Sequence, residues 1–119
     1  MSRVRFILAA GAVALVAATG SFAATPKLIG TTGPDSAFKI NLTKGGTKVT
    51  KLKAGKYTIV VKDTALTHDF HLKGPGVDKK TSVAGKGTQT WHVTLKKGKY
   101  VYVCDPHAKL GMKGSFTVT

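Results

Sequence analysis

Apolar residues in this chain return at every second position, in short runs punctuated by glycine. No stretch keeps a helical period, so the chain must bury its apolar side chains from strands that each turn one face inward. Phe38–Thr43 alternates Phe38, Ile40 and Leu42 with polar residues; Gly45-Gly46 then marks a tight turn into Val49–Leu52. Tyr57–Val61 reads as a fully buried run. His68–Leu72 sets His68, Phe70 and Leu72 on one face and Asp69 and His71 on the other. Thr88–Leu95 sets Trp91, Val93 and Leu95 against His92 and Thr94, and Tyr100–Cys104 and Gly114–Val118 complete the pattern. Gly74 to Gly87, rich in Gly and Pro, reads mostly as loop. Six to eight short strands predict a sandwich or barrel. Leu-Lys-x-Gly-Lys-Tyr occurs at Leu52–Tyr57 and again at Leu95–Tyr100, each a turn feeding a Tyr into a strand. Two such turns favour a Greek-key sandwich over a repeat array.

The N-terminus carries a different message. Arg3 and Arg5 precede Phe6–Ala18, an apolar run of 13 residues, and Ser21-Phe22-Ala23 supplies small residues around a cleavage point. A spanning helix needs about 20 apolar residues. Residues 1–23 are therefore read as a secretory signal peptide, cut after Ala23 or Ala24, with an uncleaved anchor as the alternative. Residues 24–35 form an N-terminal segment or first strand, and 36–119 the body of one domain. Removing the signal leaves seventeen lysines against five aspartates, a charge of +12, with no arginine. Such a protein is steered towards acidic partners or an anionic membrane surface. Without arginine forks or any nucleic-acid-reading motif, and once exported to the periplasm or beyond, it is not expected to bind nucleic acid.

Export makes Cys104 conspicuous. It is the one Cys of the chain, which excludes an intramolecular disulfide framework and any Cys-rich zinc module. A lone thiol in an oxidising compartment must be buried, paired between chains or bound to a metal. Around it the chain reads Cys104-Asp105-Pro106-His107-Ala108-Lys109-Leu110-Gly111-Met112, a C-x2-H-x4-M loop between two strands. Thiolate and imidazole bind copper well, and a thioether suits a long axial position. His68, on the core-facing side of its strand, is the best further imidazole; His71 faces away and His92 faces solvent. Asp105 is read as a turn residue. Taken one at a time, a buried Cys, a core Met and a hydrogen-bonded strand His are ordinary. Their joint spacing in an exported chain is not.

These residues resemble the copper loop of the cupredoxins, especially plastocyanin, pseudoazurin and amicyanin, whose C-x-P-H-x4-M loop leads into a short glycine-containing last strand, here Gly114–Val118. Thr67-His68-Asp69-Phe70-His71-Leu72 is similar to the amicyanin form of the first-ligand segment. The resemblance spans roughly residues 36–119. It implies an all-β Greek-key sandwich holding one type 1 copper through His68, Cys104, His107 and Met112. It also implies one-electron transfer without enzymatic turnover, with His107 as the partly exposed port inside a ring drawn from Pro75, Pro106, Leu110 and Gly111. Two positions depart from the family. Asp69 stands where Asn is usual; an unpaired carboxylate there would lower the reduction potential unless a group such as a Lys offsets it. Val103 stands where plastocyanin has Tyr.

The resulting expectation is an exported, monomeric electron carrier meeting redox proteins with acidic docking surfaces. A copper-delivery protein using the same ligands is the first alternative. A metal-free immunoglobulin-like module is the second, although the partner Cys of such a module is absent.

Overall fold

The computed structural model describes residues 24–33 and 37–119; residues 1–23, expected to be a signal peptide, lie outside the described residues. Ten strands run in chain order: β1 (Lys27–Thr32), β2 (Ile40–Lys44), β3 (Thr47–Lys48), β4 (Lys51–Leu52), β5 (Gly55–Asp63), β6 (His71–Gly74), β7 (Val77–Lys80), β8 (Gly87–Leu95), β9 (Gly98–Val103) and β10 (Lys113–Val118). A 3-10 helix, Asp105–Leu110, separates the last two. The strands form two five-stranded sheets, ordered β3-β2-β1-β5-β8 and β4-β10-β9-β6-β7, the expected sandwich. β1 joins β5 in parallel and β10 joins β4 in parallel; the other pairings are antiparallel.

Alternation places the core where the sequence puts it. Tyr57, Ile59 and Val61 of β5 and Trp91, Val93 and Leu95 of β8 are buried on one side of their strands. Thr58 and Val60 are half-buried on the outer face, so Tyr57–Val61 is a one-faced strand and not a fully enclosed run. Aromatic rings cross the core in contact. Phe70 stacks on Tyr102 with centroids 5.6 Å apart, and Tyr100 stacks on Phe116 at 5.2 Å. Three of these rings rest on glycines, Phe70 on Gly30 of the facing sheet, and Tyr100 and Tyr102 on Gly74 and Gly114 of the strands beside their own. The repeated Lys-x-Gly-Lys-Tyr turns behave alike: Tyr57 donates to the Lys53 carbonyl at 2.7 Å and Tyr100 to the Lys96 carbonyl at 3.1 Å.

Four expectations are corrected. The described residues hold ten strands, because β7 is added and the edge segment Thr47–Leu52 breaks into two short pieces, β3 pairing in one sheet and β4 in the other. The expected loop Gly74–Gly87 contains β7, which hairpins onto β6. Phe38 precedes β2 and is 50% exposed, so it does not share the buried face of Leu42. The strand expected from His68 begins only at His71. Residues 64–70 are irregular, pinned by side chains instead of a ladder. Asp63 accepts from the Ala65 N–H and the Thr81 hydroxyl, while Thr81 Oγ1 accepts from the Phe70 N–H at 2.9 Å. Period-two alternation therefore fails here, and His68, Asp69 and Phe70 are all buried.

Candidate metal centre

Cys104 follows the last residue of β9, and the loop after it is shaped by two residue types. Pro106 sits in the first turn of the 3-10 helix, where a missing N–H costs nothing, and Gly111 ends it with φ 92°. Hydrogen bonds then close the loop on itself. The Cys104 N–H donates to the Met112 carbonyl at 3.0 Å, the His107 N–H to the Cys104 carbonyl at 3.1 Å, and the Met112 N–H to the His107 carbonyl at 3.3 Å. The ends of the nine-residue motif are thereby held together, and Met112 is buried beside Cys104's backbone.

His68 reaches the same point from the pinned segment. Its Nδ1 lies 3.0 Å from His107 Nδ1 and 3.6 Å from Cys104 Sγ, and His107 Nδ1 lies 3.4 Å from that sulfur. The circle through these three atoms has a radius of about 1.9 Å, close to the ~2.0–2.3 Å of imidazole and thiolate bonds to a metal. Two imidazole nitrogens and a sulfur converge so that, once their shared protons are displaced, all three can direct lone pairs at one point, and the donor set fits a bound metal ion. His68 and Cys104 are fully buried and His107 is half-buried. The His68 Nε2 is buried without a hydrogen-bond partner, so packing holds this ring. Burial pushes the Cys104 thiol up, although N–H groups of Asp69 and His107 lean towards the sulfur and oppose the shift. A metal must displace that proton to bind.

Phe38 is the residue that sequence reasoning missed. Its ring stacks on His107 with centroids 4.2 Å apart and meets His68 edge-on at 5.5 Å. Its contact with His107 bridges 69 positions of chain, and no local pattern signals it. Leu110, 68% exposed, lies in the ligand loop, but Pro75 is not in this ring. Pro75 packs against Gly98, and its carbonyl accepts from Tyr100 at 2.8 Å, at the opposite end of the sandwich.

Asp69, expected on the outer face with His71, is 1% exposed. Among the described residues no lysine pairs with it. One carboxylate oxygen accepts the Asp105 N–H at 2.6 Å, tying the His68 segment to the ligand loop. Burial and the neighbouring Asp105 raise its pKa to about 6. Asp105 is held below the ordinary value despite its own partial burial, because Asp69 and His71 both favour its charged form. His71 bridges two acids: Nε2 is 2.6 Å from Asp78, and Nδ1 is 2.9 Å from Asp105. Burial works against its charge, but Asp78 and Asp105 outweigh it and raise the imidazole's pKa. His92 is exposed, as expected.

A family model described as copper binding proteins, plastocyanin/azurin family, matches residues 13–119. No curated protein sequence matches the chain significantly. Among solved structures, dithionite-reduced auracyanin from the photosynthetic bacterium Roseiflexus castenholzii superposes with a TM-score of 0.57 at 18% identity, covering 82% of this chain and 99% of that one. Rusticyanin from Thiobacillus ferrooxidans gives 0.58 at 20% identity, covering 82% and 79%. Auracyanin A from Chloroflexus aurantiacus, described as a "blue" copper protein, gives 0.53 at 14%, covering 81% and 100%. At these identities the likeness carries the fold alone.

Proposed function

This chain belongs to the plastocyanin/azurin family of copper-binding proteins, with one type 1 copper as its cofactor, and from that premise we propose that it is an exported one-electron carrier. In this reading His68, Cys104, His107 and Met112 would hold the copper, the two imidazoles and the thiolate as its strong donors and the thioether as a weak one. The observation that carries it is the convergence of two Nδ1 atoms and one Sγ within 3.0–3.6 Å of one another.

Bound there, copper supplies a Cu(II)/Cu(I) couple, and no substrate bond is made or broken. The rest is the work of the chain. Burial of His68 and Cys104 excludes water, and the Cys104–Met112 and Asp69–Asp105 hydrogen bonds fix the donors in place. Little then has to move when the charge changes. His107, half-buried under Phe38, gives the electron its shortest route to the surface. Phe38, Leu66 and Leu110 are exposed apolar side chains on or next to segments that carry a ligand, a surface on which a redox partner can close and exclude water. The lysine excess favours partners with acidic docking surfaces.

The test is a visible spectrum with EPR on the exported protein titrated with Cu(II), beside Cys104→Ser. The expected result is an intense blue thiolate band that saturates at one equivalent, with narrow copper hyperfine splitting, and is lost in the variant. A colourless protein that takes up Cu(I) and hands it on would overturn the carrier reading in favour of copper delivery.

A further inference from the structure

The copper end is only one pole of this molecule. β5 runs away from the opposite pole, where Gly55, the β8–β9 turn and Thr119 come together. A concave basin of about 1010 Å³ opens there, and five of its lining residues are Lys44, Lys48, Lys51, Lys53 and Lys56. Lys96, Lys97 and Lys99 add to the same end around Gly98. All eight lysines are exposed. Among the described residues neither ion pair involves a lysine. The described acids stand elsewhere. Asp69, Asp78 and Asp105 gather about His71, and Asp63 lies near His68.

We propose that this lysine basin is an electrostatic seat for an anionic phospholipid surface, holding the protein with its copper pole turned to the water. Two features select lipid headgroups over a protein partner. The large exposed apolar side chains, Phe38, Leu66, Val83 and Leu110, are none of them in the basin lining, so it lacks the apolar anchors on which protein interfaces depend. Its cations are all lysines, point charges suited to a diffuse field of phosphates and not to forked recognition of one carboxylate. The seat does not depend on the metal.

Each lysine near an anionic membrane contributes about 1 kcal/mol, roughly fivefold in affinity. The exported protein, with and without copper, would be sedimented with vesicles of phosphatidylcholine alone and of phosphatidylcholine with phosphatidylglycerol, over a range of salt. Binding to the anionic vesicles alone, weakening as salt rises, is expected. The combined Lys48→Gln, Lys51→Gln, Lys53→Gln and Lys56→Gln variant should bind at least tenfold more weakly. A charge-matched variant carrying Lys79→Gln, Lys80→Gln, Lys86→Gln and Lys109→Gln should lose much less, and Leu110→Gln nothing. Circular dichroism melts check that each variant folds. Equal loss in both lysine sets would reduce the effect to net charge and overturn the proposal. So would binding that survives salt and the four basin substitutions, or binding to polyglutamate without binding to vesicles, which would assign the pole to an acidic protein.

Discussion

At the scale of single residues, Phe38 and His71 support the site without belonging to the donor set. Phe38 covers one face of His107 with hydrocarbon. Water admitted in its place would favour the more highly charged oxidised copper, because the apolar shell around a site tunes its potential. Phe38→Ala should therefore lower the reduction potential measured by protein-film voltammetry while leaving the blue band in place. An unchanged or raised potential would show that the ring does not shield the site. His71 makes a pH argument. Asp78 and Asp105 raise its pKa in the folded protein against the opposing pull of burial. Its contribution to stability is fully present below the unfolded pKa near 6.5 and is lost as pH rises through the higher folded value. His71→Gln should cost about 1 kcal/mol below that window, since Asp78 and Asp105 are substantially exposed and screened, and almost nothing well above it. Urea melts of the metal-free protein at a series of pH values would check this; a constant penalty across the window would count against it.

At the scale of elements, glycines matter as seats for aromatic rings. A methyl group at Gly74 or Gly114 would run into the ring of Tyr100 or Tyr102, both of them fully buried and unable to step aside. Gly74→Ala and Gly114→Ala should each cost about 2 kcal/mol, the usual penalty of overpacking. Gly85→Ala, whose added carbon meets Ser82 only at ordinary contact distance, should be close to neutral in the same denaturant melts. The element scale also separates what was legible in the sequence from what was not. The ligand loop was legible because Cys104, His107 and Met112 lie within nine residues, and Pro106 and Gly111 shape that stretch locally. β8 was legible because a long strand over a core keeps strict alternation. The segment before β6 was not. Asp63 and Thr81 hold residues 64–70 from outside, so alternation placed His68 and Phe70 correctly while putting Asp69 on the wrong side. Phe38 escaped notice for a related reason, since its partner His107 belongs to a distant part of the chain.

At the scale of the whole molecule, charge sets how partners are met. If acidic redox proteins are the natural partners, their reaction with the copper protein should slow steeply as salt rises, because exposed charges are screened beyond about 10 Å at 0.1 M ionic strength. Stopped-flow reduction over a salt series would show it, and a flat profile would remove electrostatic steering from the account. The lysine basin and the carboxylates around His68 and His71 lie at different ends. The protein is therefore a permanent electric dipole as well as a polycation. Net charge draws it towards a negative body; the dipole exerts a torque and settles which end arrives first. Near a negatively charged plane that torque swings the basin inward and leaves His107 facing outward, so orientation is chosen in solution, before any two surfaces touch.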